Sequence, residues 1–260
     1  MMKSLVKQGW RPALVIILLF LIWELCVQLF QVPTWLLPAP TQILEVGITE
    51  WGQYSHHVWA TVQLIIVGFL IGSSIGILVA IGLHLVPFLK QSTYPLLILS
   101  QNIPVIVLAP LLVVWFGFGM LPKIIVITLV CFFPIAISLL DGFRQTDRDL
   151  MHYMQMAGAS RKQLFWKLEW PNAMPSLFSG LKISATYSVM GAVISEWLGA
   201  SEGIGYYMTL ASSSYRTDRV FVAILIIVAL SLLFFIFINW LEKIVIRWRS
   251  SGEGGSSETS

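Results

Sequence analysis

Apolar runs close to the length of a membrane crossing alternate along this chain with short polar segments. A helix needs about 20 mostly apolar residues to span the hydrocarbon layer. Six stretches approach that length, at 12–32, 58–83, 93–116, 124–140, 178–198 and 220–241. The pattern predicts an all-α polytopic membrane protein of about six transmembrane helices. Composition agrees, because apolar residues make up 57% of 260 and charged residues only 11%, too little polar surface for a soluble domain of this size.

The polar ends of these runs are asymmetric in charge. With the N-terminus inside, all 16 Lys and Arg residues except Lys123, Arg216 and Arg219 fall on the cytoplasmic side, as the positive-inside rule asks. An even number of spans then returns the C-terminus to the cytoplasm. Lys3, Lys7 and Arg11 precede an apolar run longer than a signal-peptide core and without a small-residue cleavage site, so an uncleaved first helix is expected. Residues 1–249 read as one transmembrane domain, and the polar stretch 250–260 reads as a disordered cytoplasmic tail. The net charge of +3 reflects this topology and gives no argument for nucleic acid.

Polar residues inside the runs are few. Gly68, Gly72 and Gly76 recur every four residues, which places three missing side chains on one helix face and predicts close packing against another helix. In the third run Ser100, Gln101 and Asn102 are followed by Pro104 and Pro110, so freed backbone groups occur at membrane depth and have to face protein or water. That segment fits either a solute-path lining or a kinked helix satisfied by its neighbours. Gln101, Asn102, Tyr187, Ser188 and Glu196 are the candidate path residues, because they put polar groups on the third and fifth spans. Glu24, in the first run, reads as a packing or protomer-contact residue, and Glu196 as an interfacial anchor or an extracellular gate. Cys26 and Cys131 lie inside spans and read as small buried side chains.

The chemistry expected of an enzyme is missing. No Gly-x4-Gly-Lys-Ser/Thr, Gly-x-Ser-x-Gly or His-Glu-x-x-His pattern occurs, so the chain is expected neither to bind nor to hydrolyse ATP itself. His56, His57, His84 and His152 sit at or beyond span ends without supporting ligands, and no metal is assigned. A membrane enzyme is the weakest class for want of a nucleophile and base pair.

The loop at about 142–177 carries the strongest local signal. Residues 150–157 are helix-compatible, and Gly158 stops or bends that helix. Ser160 with Gln163 three positions on is a capping-box pattern, predicting a second helix from Arg161 to Trp170 that Pro171 ends, with Pro175 beyond it. Leu164 and Leu168 share one face of that helix and Trp166 and Trp170 another. A helix, a glycine turn and a second amphipathic helix make a rigid projection that calls for a soluble partner.

This loop resembles the motif of permease subunits of binding-protein-dependent ABC importers: Glu-Ala-Ala, three residues, Gly, nine residues, Ile, any residue, Leu-Pro. Gly158, Leu168 and Trp170-Pro171 fall into its register, whereas His152, Tyr153 and Met154 stand where the motif has Glu-Ala-Ala. The stretches LPAPTQIL at 37–44, IPVIVLAPLLVVWFGFG at 103–119, FFPIAISLLDGFR at 132–144 and EWLGASEGIGYYM at 196–208 resemble nitrate, sulfonate and taurine importer permeases. Within that group GLKISATYSVMGAVISEWLG and SSSYRTDRVFVAI are most similar to permeases for thiamine-precursor pyrimidines.

The resemblance implies a type I ABC importer permease fold, multi-pass in a bacterial cell membrane, working as a homodimer with the substrate path at the dimer interface. Two cytosolic ATPase subunits would hold ATP and magnesium, and an extracytoplasmic binding protein would deliver substrate. The ATPase-coupling loop would comprise His152, Ala157, Gly158, Ala159, Ser160, Leu164, Leu168 and Pro171. The implied cargo is hydroxymethylpyrimidine or formylaminopyrimidine. Nitrate, a sulfonate or taurine is the alternative, against which stands the absence of Lys or Arg deep in a span. A stand-alone secondary carrier is the second alternative, but it would have only Glu24 and Glu196 for ion coupling and would leave the Gly158 loop without a purpose.

Overall fold

The computed structural model describes residues 2–246, so the expected tail at 250–260 and the basic residues Arg247 and Arg249 lie outside the described residues. The chain forms helices α1 (Met2–Leu29), α2 (Pro40–Thr49), α3 (Trp51–Leu85), α4 (Pro87–Ser100), α5 (Val105–Phe116), α6 (Met120–Arg144), α7 (Arg148–Met156) and α8 (Arg161–Leu164). A π-helical turn at Phe165–Glu169 then leads into α9 (Trp170–Trp197), followed by α10 (Ile204–Ser213) and α11 (Thr217–Val245). No strand occurs among the described residues.

Two compact units share these helices, one built from 2–60 and 201–227, the other from 61–200 and 228–246. In the first, Ile43, Tyr54, Ile204, Tyr207, Val222 and Ala223 form an apolar core. Glu24 of α1 accepts hydrogen bonds from the Thr41 backbone N–H at 3.1 Å, the Thr41 hydroxyl at 2.8 Å and Gln28 at 2.7 Å. Its carboxylate thus fixes the start of α2. Glu50 pairs with Arg216 at 3.3 Å and Arg219 at 2.8 Å, which gathers two of the three basic residues assigned to the outer side around one acid.

The second unit is organised around α6. A Cβ added to Gly68 would lie 2.5 Å from Ile127, one on Gly72 2.8 Å from Cys131, and one on Gly76 3.1 Å from the Phe132 carbonyl. The glycine face of α3 therefore packs directly on α6, as its spacing predicts, and the matched numbering shows the two helices running the same way. Helix α9 runs against α6: the Ser184 hydroxyl donates to the Cys131 carbonyl at 2.8 Å, while Gly142, further along α6, meets Ser176, earlier on α9. Beneath these contacts Ile135, Leu139, Leu140, Ala173 and Leu177 form the core of this unit.

Because α3 and α6 are parallel, the chain between them has to return across the bundle. It does so in α4 and α5, which are separated by a 95° bend. The third expected span is thus a broken crossing rather than one helix. Among the described residues, α3, α6, the segment Arg161–Trp197 and α11 are each long and apolar enough to cross, and the bent pair adds a fifth. The first expected span corresponds to α1, whose described apolar part, Leu14–Leu29, falls short of about 20 residues by itself.

Candidate functional site: a capped loop and a membrane cavity

Asp147 starts α7 by accepting hydrogen bonds from the backbone N–H groups of Asp149 and Leu150 at 2.8 and 3.2 Å. The helix ends in a Schellman turn. Gly158 has φ of +81°, its N–H donates to Gln155 O at 2.9 Å, and the Ala159 N–H donates to Met154 O at 3.0 Å. A side chain at position 158 would be strained by the backbone angle even though nothing stands within 4 Å of it.

Two residues later Ser160 opens the next helix with the expected capping box. Its hydroxyl accepts from the Gln163 N–H at 3.3 Å, and the Gln163 side chain accepts from the Ser160 N–H at 2.8 Å. Trp166 and Trp170 share a face, with ring centroids 6.0 Å apart.

The expected stop at Pro171 does not occur. The Trp170 N–H bonds to the Phe165 carbonyl, five residues back, so the helix widens into a π turn ahead of Pro171. A proline ring ordinarily collides with the carbonyl four residues earlier, and the wider turn relieves that collision. Pro175 likewise lies inside α9 rather than bounding the projection. From Arg161 to Trp197 the chain is one continuous helical segment, about 55 Å long at 1.5 Å per residue.

None of the α7 side chains is buried. His152, Ala157, Gly158 and Ser160 are exposed, Ala159, Leu168 and Pro171 are half-buried, and Leu164 is buried. Tyr153 and Met156 are 65% and 82% exposed, which leaves large apolar side chains in water on a short polar helix.

The second feature lies at the α4–α5 break. An open cavity of about 430 Å³ is lined by Gln101 and Pro104 from the break, Phe133 and Pro134 from α6, and Tyr187 and Met190 from α9. Among the described residues no Lys, Arg, His, Asp or Glu lines it. Among the candidate path residues, Gln101 and Tyr187 are brought together here. Asn102 sits at the same bend, but its side-chain amide donates to the carbonyls of Ile98 and Leu99 at 3.1 and 3.4 Å, satisfying the end of α4.

Ser188 and Glu196 lie elsewhere. Ser188 is fully buried and donates to the Ala185 carbonyl of its own helix at 2.8 Å. Glu196, 2% exposed, accepts from the Thr61 hydroxyl at 2.7 Å, joining the C-terminal end of α9 to the N-terminal third of α3. At the opposite ends of these two helices His84 Nε2 is 2.9 Å from Glu169 Oε2, and the imidazole stacks on Phe143 with centroids 4.2 Å apart. Sequence reasoning passed over both cross-links, since Thr61 and His84 are single polar residues whose partners lie more than 80 positions away.

The family model for "binding-protein-dependent transport system inner membrane component" matches residues 72–247, which include the cavity and the capped loop. The chain is 36% identical to the formylaminopyrimidine transport permease ThiX of Halalkalibacterium halodurans, over 93% of this chain and 97% of that protein. It is 31% identical to the riboflavin transport system permease RibX of Chloroflexus aurantiacus, over 96% and 95% of the two chains. With the taurine transport system permease TauC of Escherichia coli it shares 28% identity over 88% and 86%. A broken membrane crossing, a projecting loop and matches of this extent place the chain in one family: it belongs to the binding-protein-dependent transport system inner membrane components, as the permease subunit of an ABC importer.

Proposed function

We propose that this permease imports a small uncharged heteroaromatic nutrient, a formylaminopyrimidine-type thiamine precursor, powered by ATPase subunits that grip its Gly158 loop. The observation that carries the coupling role is the direct fusion of that loop to the continuous segment Arg161–Trp197. A push on Gly158 and Ser160 has no flexible joint in which to dissipate before it reaches the membrane cavity. Exposed Tyr153 and Met156 supply apolar contact for the ATPase, with His152 in place of the motif's acid.

In this reading two copies of the chain form the pathway, each held by one ATPase subunit, and an extracytoplasmic binding protein delivers the cargo. ATP and magnesium stay on the ATPase subunits. Closure of the ATPase pair moves the two loops and switches the helices between inward- and outward-facing arrangements. Arg144, Arg148, Arg161, Lys162 and Lys167 crowd around the loop, which supports a cytoplasmic loop and cytoplasmic termini.

The cavity without an ionisable carboxylate or cation supports a neutral cargo, as does the formylaminopyrimidine permease among the relatives. Relatives named for aliphatic sulfonates and taurine, at 29% and 28% identity, favour a second reading in which the same machine carries a sulfonate. Gly158→Arg tests the coupling role: the variant is expected to insert in the membrane, with strain confined to the exposed turn at 158, yet lose stimulation of ATP hydrolysis by the loaded binding protein. Wild-type stimulation in that variant would remove the loop from the coupling path.

A further inference from the structure

We infer that Gln101 and Tyr187 form a selectivity station inside the permease, one that reads the amino-substituted edge of a planar nitrogen heterocycle. The inference rests on the pyrimidine reading above and assigns to the membrane subunit a share of specificity separate from that of the binding protein.

Both residues open onto the same cavity from opposite elements, Gln101 from the α4–α5 break and Tyr187 from the middle of α9. Neither side chain makes a hydrogen bond among the described residues, whereas Asn102, Ser184, Ser188 and Ser195 on the same elements donate to backbone carbonyls. Asn102, one position away, closes the end of α4 and so leaves Gln101 free of that structural task. A broken transmembrane helix that turns irregular backbone toward a cavity is the usual setting of a transported ligand.

The chemistry of the lining selects a class. A primary amide offers one N–H donor beside one carbonyl acceptor, the complement of a ring nitrogen next to an exocyclic amino group, and glutamine pairs with adenine through that geometry. Phe133, Pro134 and Met190 supply flat or polarisable apolar surface for the faces of such a ring. The Tyr187 hydroxyl can donate to or accept from a second polar substituent. A sulfonate or nitrate could accept from the Gln101 amide and the Tyr187 hydroxyl, but among the described residues no cation lines the cavity to offset its charge.

The test uses the complete importer, with ATPase subunits and binding protein, in proteoliposomes. Initial ATP-driven uptake of formylaminopyrimidine is measured against that of the analogue lacking the ring amino group, with the binding protein unchanged throughout. Any change in that ratio then belongs to the permease. Gln101→Leu is expected to lower the ratio about tenfold, because a site built for hydrogen bonding discriminates by what it leaves unpaired. Tyr187→Phe is expected to lower formylaminopyrimidine uptake severalfold, and Gln101→Asn to recover part of the discrimination.

A Gln101→Leu importer that keeps the wild-type ratio overturns the assignment, even where total uptake falls, since a merely structural role would reduce both probes alike. Taurine uptake without pyrimidine uptake by the unsubstituted importer overturns the cargo reading, and the Gln101 role with it.

Discussion

His84 Nε2 and Glu169 Oε2 lie 2.9 Å apart, each side chain about 15% exposed, so one hydrogen bond ties the end of α3 to the π turn below the loop. The contact holds the turn through which, under the proposed coupling role, force from the loop would pass. His84→Ala and Glu169→Ala are each expected to cost about 1 kcal/mol, with the double variant little worse than either single. Thermal unfolding of the four proteins in detergent checks this. Full additivity would show that the two side chains do not depend on each other.

Gly72 meets α6 without room for a side chain, with Cys131 Cβ 2.8 Å and the Thr128 carbonyl 2.9 Å from an added Cβ. Gly72→Leu is therefore expected to destabilise the bundle by roughly 3 kcal/mol through overpacking. Gly82→Leu, on the same helix with nothing within 4 Å, should be nearly neutral. Yield of monodisperse protein and melting temperature for the two variants separate close packing from a general effect of adding leucine.

Much of this was legible in the sequence because it is local. The glycines at 68, 72 and 76 report a helix face by spacing alone, and Ser160 with Gln163 reports a cap within four residues. Pro171 misled for an equally local reason. A proline in a helical pattern ordinarily ends it, and here the extra residue of the Phe165–Glu169 turn eases the clash as the helix passes through. The 95° bend was half visible, since Ser100 to Pro104 interrupt the apolar run but do not specify an angle. Long-range pairs such as Thr61 with Glu196 left no pattern to find. Nor could sequence separate Tyr187, which opens onto the cavity, from its neighbour Ser188, which is sealed inside the packing.

The Ser160 cap should matter to coupling as well as to stability. Ser160→Ala is expected to cost about 1 kcal/mol of local helix stability, whereas Ser160→Asp keeps a capping oxygen and should cost little. In the reconstituted importer the alanine variant should show partial loss of stimulated ATP hydrolysis that the aspartate variant restores. Equal activity in both would show that fraying of this helix start does not limit transmission.

Thr61 supplies a hydroxyl donor to the buried Glu196 carboxylate. Thr61→Val removes that donor at nearly constant volume and is expected to destabilise by roughly 1 to 3 kcal/mol, while Thr61→Ser should be tolerated. Melting temperatures of the purified variants measure the difference. A valine variant as stable as wild type would show that other groups satisfy Glu196 fully.

Coupling of transport to a partner ATPase through the Gly158 loop is tested most directly by uptake in proteoliposomes holding this permease, the ATPase and the binding protein. The predicted result is ATP-dependent accumulation of formylaminopyrimidine that is abolished by Gly158→Arg and unaffected by excess taurine or nitrate. Accumulation that proceeds without the ATPase, or that persists unchanged in the Gly158→Arg protein, would contradict it.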